Sequence, residues 1–346
     1  MALGVKLVSK NMGFDLGTDN IVVYVDGKGI VLREPTLVAV KSDHRRQVVA
    51  VGEEAKKMVG KTPDTITALR PLNDSVIADL DSTSLMIKYL IHKANDFSVP
   101  LVRPRVVVCV PCGITPVERQ AVQQVVHSAG VRSVHLVDSP MAAAIGANLP
   151  VEQATGSMVV DIGGGTSEMA VVSMNGVVSA SSVRVAGQKM DEAIINFIRS
   201  EYNLLIGQRT AEEVKIGIGS AIPLQHRETV MVKGRDLITG LPHMIEIGND
   251  EIHEALREPL QTILNNIKVC LENTPPEVAG DVMTKGIYLV GGASQLPGLD
   301  LLISEETGLP VKIADNPTDC VAVGAGILAG DMDRLRQIIR FHDEFD

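Results

Sequence analysis

The sequence predicts an α/β protein made of two related halves, and three observations carry that prediction. Its 346 residues suffice for two domains at ~150 residues each. An apolar run ending in Asp-x-Gly occurs twice, as Met12-Gly-Phe-Asp15-Leu-Gly17-Thr18 and as Met158-Val-Val-Asp161-Ile-Gly163-Gly164. Strand-like runs then alternate with amphipathic helical ones, the pattern of sheets covered by helices. Together these suggest two related domains facing each other.

Taken in order, the first repeat runs through Ile21 to Val25 into Asp26-Gly27, and the second through Met169 to Met174 into Asn175-Gly176. Both dipeptides predict two-residue hairpin turns. Val106 to Val110 reads as a strand. Thr115-Pro116-Val117-Glu118 has the form of a capping box with proline at the first helical position, and Val122, Val125, Val126 and Ala129 recur at helical spacing until Gly130. Val134 to Val137 follows as a strand, completing a strand-helix-strand unit of a parallel sheet.

In the second half, Met190, Ala193, Ile194, Phe197 and Ile198 mark one amphipathic helix. Ile252, Leu256, Leu260, Ile263, Leu264, Ile267 and Leu271 mark a longer one, in which Pro259 is expected to bend or locally open the backbone. Ile287 to Val290 is a short strand entering Gly291-Gly292, and Val321 to Ala329 is helical sequence of small residues. The charged, turn-rich stretches Lys41 to Gln47 and Leu224 to Asp236 read as parts of smaller insertions.

Composition excludes several function classes. The formal net charge of −10 repels nucleic-acid phosphates, and five Phe, four Tyr and no Trp leave few platforms for unpaired bases, so no nucleic-acid partner is expected. A mean hydropathy of +0.18 belongs to a folded globular chain. No stretch matches the ~18 uncharged apolar residues of a membrane-spanning helix. The apolar run in Met1 to Lys10 is too short for a signal peptide, and four cysteines do not make a disulfide scaffold, so a reducing cytoplasm is expected. Cys109 and Cys112 form a CxxC, read as two reduced thiols at a strand end rather than half a zinc site.

The two Asp-x-Gly segments carry the chemistry. Each places a carboxylate at a strand end beside a glycine turn, where backbone N–H groups approach phosphate oxygens without a Cβ in the way. A bare carboxylate repels phosphate, so it belongs there only if Mg²⁺ and its water shell intervene. One such loop is ordinary structure; two at matching places in two halves point to a polyphosphate. The sequence has no GxxxxGK, HExxH or GxSxG, which argues against Walker-type ATPases, metalloproteases and serine hydrolases. Gly324-Ala-Gly326 with Gly330 has the wrong spacing for a dinucleotide fingerprint and suits close helix packing.

Several further segments carry a resemblance: Gly27-Lys-Gly-Ile-Val-Leu-Arg-Glu-Pro35, Gly60-Lys-Thr-Pro63, Arg70-Pro71, Pro140-Met-Ala-Ala-Ala-Ile-Gly146, Asp161-Ile-Gly-Gly-Gly-Thr166, Gly207-Gln-Arg-Thr-Ala-Glu212, Gly234-Arg-Asp-Leu-Ile-Thr-Gly-Leu-Pro242 and Thr274-Pro-Pro-Glu277. With Asp15-Leu-Gly-Thr-Asp-Asn20 they resemble the MreB family of bacterial actins, from about Met12 to Gly330. The resemblance implies an actin-like two-lobed α/β fold with duplicated mixed-sheet cores and two smaller inserted subdomains. Its divisions would be 1–33 with 75–147 (subdomain IA), 34–74 (IB), 148–183 with 247–346 (IIA) and 184–246 (IIB). It also implies ATP and Mg²⁺ as cofactors and self-assembly into filaments. Those filaments would lie at the inner face of the cell membrane, with cell-wall synthesis and shape-complex proteins as partners.

Position by position, the resemblance implies that Asp15 holds the waters around Mg²⁺ and that Thr18, Asp19 and Asn20 line the phosphates. Asp161 with Gly163, Gly164, Gly165 and Thr166 would supply the opposing loop. Glu212 and Lys215 would meet ribose and adenine; a solvated i,i+3 ion pair is the alternative. Gly291, Gly292, Ala293 and Ser294 would pass under the adenosine and α-phosphate, and a tight strand-to-helix turn would account for the same residues. Thr166 is a family residue near the attacking water.

Departures from the family bear on catalysis. The family usually has Glu-Glu before Pro-Met-Ala-Ala-Ala; here those positions are Asp138 and Ser139, with Asp138 the only acidic substitute at hand. A serine hydroxyl is a poor base at neutral pH, so hydrolysis is expected to be slow. Asp19, in place of the usual alanine, adds negative charge that would weaken nucleotide binding or raise its Mg²⁺ dependence. Gly217 stands where the family usually has glutamate, and Ala293-Ser294 where it has Gly-Ala.

Phe97, Val99, Leu101 and Val102 form an apolar loop followed by Arg103 and Arg105, and the resemblance places this loop at the tip of the first lobe as a membrane contact. Met1 to Val8 would add a second weak contact. The competing functional readings are a small-molecule kinase of the same superfamily and a filament that binds nucleotide with negligible hydrolysis.

Overall fold

Strand Met12–Leu16 is buried on both faces, as a continuous apolar run in a central strand should be, and it anchors the first of two sheets. The computed structural model describes residues 11–41, 47–61, 63, 65–73, 76–94 and 103–343. They group into two compact units. Unit 1 contains the chain up to Ala154, Val172–Val177 and everything from Asp319 on; unit 2 contains Thr155–Val171 and Val178–Thr318.

The sheet of unit 1 has the order Ser133–Asp138, Arg105–Val110, Met12–Leu16, Asn20–Val25, Gly29–Pro35. The first three strands are parallel and the last two form an antiparallel hairpin on Met12–Leu16. Register sets Asp15 opposite Cys109 and Cys109 opposite Val137. Asp15 and Asp138 therefore both stand at the carboxyl ends of parallel strands, where open α/β sheets bind ligands. Helices Leu80–Ala94 and Pro116–Ser128 close the core through Met86, Leu90, Val122 and Val126. The capping box forms as the sequence predicts: Glu118 N donates to Thr115 Oγ1 at 3.3 Å, and Thr115 N to Glu118 Oε2 at 2.9 Å.

Helices Ser139–Gly146 and Cys320–Gly330 approach at backbone distance. A Cβ on Gly324 would overlap the Ala142 carbonyl, and one on Gly146 would overlap the Cys320 carbonyl. The Gly324-Ala-Gly326 segment thus serves helix packing.

Unit 2 carries a sheet ordered Gly176–Val183, Ser167–Ser173, Ser157–Ile162, Ile287–Val290, Val311–Ile313. From the hairpin edge, both sheets run third, second, first, fourth, fifth strand in chain order, so the sequence repeat is a repeat of topology. Its core gathers Met158, Val160, Ile194, Ile198, Leu256 and Ile263 from the sheet and from helices Gly187–Tyr202 and Asn249–Glu272.

Each unit also holds a three-stranded sheet. In unit 1 it is Val48–Val51, Val38–Lys41, Ile66–Leu69, packed on helix Glu53–Met58 through Leu37, Ala39 and Ala55. In unit 2 it is Leu204–Leu205, Thr229–Asp236, Pro242–Gly248.

Two local expectations are corrected. Val25 pairs with Gly29, so the first hairpin loop is the three residues Asp26–Lys28, with Gly27 at φ 75° and Lys28 N donating to Val25 O at 2.9 Å. The second turn is centred one residue early, on Met174 and Asn175, whose φ values of 51° and 62° supply the left-handed pair that a type I′ turn requires. Helix Asn249–Glu272 continues across Pro259, with buried Leu256, Leu260 and Ile263 on either side keeping its apolar stripe on the core. In addition, the stretch Leu224 to Asp236, read as turn-rich, contributes strand Thr229–Asp236.

Candidate functional site

In unit 1 the chain leaves strand Met12–Leu16 through Gly17-Thr18-Asp19 and returns as strand Asn20–Val25. The reversal is tight: a Cβ on Gly17 would lie 2.5 Å from the Asn20 carbonyl oxygen. Thr36 braces it from the neighbouring strand end, its Oγ1 donating to Gly17 O at 2.7 Å and its N to Asp19 O at 2.8 Å. Arg70, just past strand Ile66–Leu69, adds a third brace: Nη1 donates to Asp19 Oδ1 at 2.8 Å and to Thr18 O at 3.2 Å. The Asp19 charge flagged by sequence is therefore paired with a guanidinium. Thr18 is buried, and Asn20 is exposed at the turn.

At the end of strand Ser133–Asp138, Asp138 is the N-cap residue of helix Ser139–Gly146 and Ser139 is its first, buried, residue. Arg119 Nη2 lies 3.8 Å from Asp138 Oδ1. The two positions ahead of Pro140 thus hold an arginine-facing aspartate and a serine at the helix start.

In unit 2, Asp161 precedes the loop Gly163-Gly164-Gly165-Thr166, which closes on itself as Gly163 N donates to Thr166 O at 3.0 Å. Helix Gly187–Tyr202 starts against it: Gly187 N donates to Gly163 O at 3.1 Å and Gln188 N to Gly164 O at 2.8 Å. Strand Ile287–Val290 sets Val290 opposite Asp161, placing Gly291 beside the carboxylate. Gly291 has φ 87°, and its N donates to Pro317 O at 2.8 Å. Ser294, fully buried, donates through Oγ to Gly291 O at 2.7 Å, fixing the turn Ala293–Gln295; Gly292 at its N-cap is exposed.

Asp161 is paired with no Lys or Arg among the described residues. Part of its surface stays open to solvent, yet the protein around it pushes its carboxyl up to about 6 by desolvation. Such a carboxylate suits a hydrated divalent cation, whose charge supplies what the protein does not. Among the described residues no three His, Cys, Asp or Glu side chains gather into a metal-ligating cluster.

Lys215 and Glu212, on helix Gln208–Ile218, are not paired with each other. Lys215 Nζ instead pairs with buried Asp191 Oδ1 at 2.7 Å and donates to Gly187 O at 2.9 Å, so it ties this helix to the start of helix Gly187–Tyr202. Glu212 is half-buried. Arg70, Thr36 and Asp191 were not singled out by sequence reasoning; only the Arg70-Pro71 dipeptide gave a signal.

All four cysteines are free thiols, three of them buried, and Cys109 Sγ donates weakly to Val321 O at 3.8 Å. Phe97, Val99, Leu101, Val102 and Met1 to Val8 lie outside the described residues. No helix among the described residues is long and apolar enough to cross a membrane.

The family model of the MreB/Mbl protein matches residues 9–337. The chain belongs to the MreB/Mbl family. Within that family it is 50% identical over 323 residues to the cell shape-determining protein MreB of Escherichia coli K12, covering 92% of this chain and 93% of that protein. It is 45% identical over 329 residues to the cell shape-determining protein Mbl of Bacillus subtilis, covering 95% and 98%. Among solved structures it is similar to MreB5 of Spiroplasma citri bound to ADP, with a TM-score of 0.89, 35% identity, and coverage of 96% of this chain and 99% of that one. It also shares the fold of the MamK double helical filament at a TM-score of 0.80 and 20% identity, over 94% and 99% of the two chains. The fold of this MreB/Mbl chain is thus the actin-like α/β fold with duplicated mixed-sheet cores.

Proposed function

We propose that this MreB/Mbl protein binds an adenine nucleotide with Mg²⁺ and polymerises into a cytoskeletal filament that acts in cell shape. The observation that carries the reading is the matched pair of strand-end carboxylates, Asp15 and Asp161, each followed by a braced glycine turn in a sheet of the same order. Support comes from MreB5, solved with ADP and with AMPPNP, at 35% identity. The similarity to proteins that determine cell shape favours a filament over a small-molecule kinase. The four-subdomain division, the cytoplasmic location at the inner membrane face and the partners in wall synthesis belong to the same proposal.

In this reading Thr18, Asp19 and Asn20 and the loop Gly163 to Thr166 take the phosphates, and Gly291 to Ser294 with Glu212 take the nucleoside. Lys215 acts by holding helix Gly187–Tyr202 against the second loop. Magnesium, when bound, offsets phosphate charge, with Asp15 holding its waters.

Hydrolysis is slow in this account, because Ser139 is a weak base at the helix start and Asp138 faces Arg119. Phosphate release should be ~10²-fold slower than in a relative that keeps glutamate there, and Ser139→Glu should restore much of it without greatly changing ATP affinity. A parent that already releases phosphate at the relative's rate refutes the slow-hydrolysis claim.

The apolar loop Phe97 to Val102 is proposed as a membrane contact, weak per subunit and strengthened by many subunits in one filament. Co-sedimentation of polymer with anionic liposomes should be lost in the double variant Phe97→Ser, Leu101→Ser. Equal lipid binding by parent and variant, with polymerisation intact, rules the loop out.

A further inference from the structure

We infer that Arg70 is a positioning residue of the first phosphate turn, and that it acts through Asp19. Three observations converge on it. Arg70 Nη1 holds both the Asp19 carboxylate, at 2.8 Å, and the Thr18 carbonyl, at 3.2 Å, so one guanidinium fixes the charge and the backbone of the same turn. The pair is only about one-third exposed on each side, 33% for Arg70 and 34% for Asp19, so solvent screens it incompletely. Arg70 follows directly on strand Ile66–Leu69 of the small three-stranded sheet, which makes the pair a direct polar tie between that sheet and the turn.

The chemistry follows from charge. With Arg70 in place, Asp19 is neutralised and the turn presents backbone amides rather than a net negative charge to an anion. A polyphosphate at this turn competes with Asp19 for the same guanidinium, because both are oxygen anions that suit its fork of donors. Nucleotide occupancy is thereby coupled to the small sheet that carries Arg70, and the turn's preference for triphosphate over diphosphate depends on how the two charges balance. Removing Arg70 uncovers Asp19, which repels the more highly charged ligand more strongly. Removing Asp19 releases Arg70 to the ligand and has the opposite effect.

This inference rests on the nucleotide reading proposed above, and the test separates the two. Dissociation constants for Mg-ATP and Mg-ADP are measured on the full chain for the parent, Asp19→Ala, Arg70→Ala, Arg70→Lys and the double variant Asp19→Ala, Arg70→Ala, with melting temperatures without nucleotide as the folding control. Arg70→Ala should weaken ATP binding about tenfold and ADP binding less. Asp19→Ala should tighten ATP binding several-fold and raise the ATP-over-ADP preference, an effect that shrinks as salt rises. The double variant should return to within about threefold of the parent, and Arg70→Lys should fall between parent and Arg70→Ala.

A double variant as weak as Arg70→Ala, with the ATP-to-ADP ratio unchanged throughout, means that Arg70 is only a structural brace and overturns the inference alone. A parent that binds neither nucleotide overturns the nucleotide reading and the inference with it. If Arg70→Ala does not fold, the Asp19→Ala ratio decides by itself: an unchanged ratio overturns the inference.

Discussion

The carboxylate of Asp161 lies directly against the backbone of Gly291: a Cβ on Gly291 would overlap both Asp161 Oδ1 and the Ile162 carbonyl. The parallel pairing of Asp161 with Val290 creates this proximity, and the φ of 87° at Gly291 turns the chain away as soon as the strand ends. Strand register and a single left-handed residue together give the acidic corner of unit 2 its shape.

Gly291→Ala should therefore destabilise the protein by about 1–3 kcal/mol or more, from left-handed strain and from displacement of Asp161. Gly292→Ala is the matched control, since the nearest atom to its Cβ is Thr318 Cγ2 at 4.0 Å and its φ is −67°. Chemical denaturation of the two variants should place Gly291→Ala well below Gly292→Ala; equal stabilities would show that the corner relaxes freely.

The same carboxylate predicts a pH dependence. Its value near 6 in the folded chain lies above the ordinary 3.8, so the folded chain holds this proton to higher pH than the unfolded chain does. Stability from this group therefore falls as pH rises from about 4 to about 6, and the cost is fully present above about 6. Asp161→Asn removes that cost. In chelator and without nucleotide, the variant's melting temperature should exceed the parent's by more at pH ~7.5 than at pH ~4. A difference that does not change with pH would contradict the assignment.

Much of this was legible in the sequence, and the reasons are physical. Thr115 and Glu118 are three residues apart, so their capping box is a local event that a helix start dictates wherever it occurs. The repeated Asp-x-Gly strands are likewise local patterns, and their equal placement in two halves carried over to equal sheet order. Arg70 with Asp19 and Lys215 with Asp191 were not legible, because each pair joins residues distant in sequence that only the tertiary fold brings together. Met174 and Asn175 displaced the expected turn since strand register, set by the core, overrides a favourable Asn-Gly dipeptide. Pro259 lies inside its helix, as the continuous apolar stripe from Ile252 to Leu271 implied: the buried stripe outweighs one lost backbone hydrogen bond.

Lys215 and Asp191 are 13% and 5% exposed, so removing one leaves the other charge stranded. Lys215→Met should cost about 3–5 kcal/mol, while Lys215→Met combined with Asp191→Leu should recover a large part of that loss. Urea titrations of the two single variants and the double variant give the coupling. Additive losses would mean that the pair contributes nothing as a pair.

Close helix packing in unit 1 makes Gly324 intolerant of any side chain. Gly324→Ala should lower stability by about 1–3 kcal/mol, because it forces helix Cys320–Gly330 off the Ala142 carbonyl. Gly217→Ala, in helix Gln208–Ile218 with nothing within 4 Å of its Cβ, should instead raise stability by about 0.5–1 kcal/mol. Thermal denaturation of both variants should shift in opposite directions; shifts of the same sign would contradict the packing described.

The most direct test of the whole account is sedimentation of the purified full chain with and without Mg-ATP, with phosphate release followed in the same samples. The account predicts a pellet that depends on nucleotide and forms well before most of the ATP has been hydrolysed. A chain that stays in the supernatant at every protein concentration, with Mg-ATP and anionic liposomes present, would contradict it.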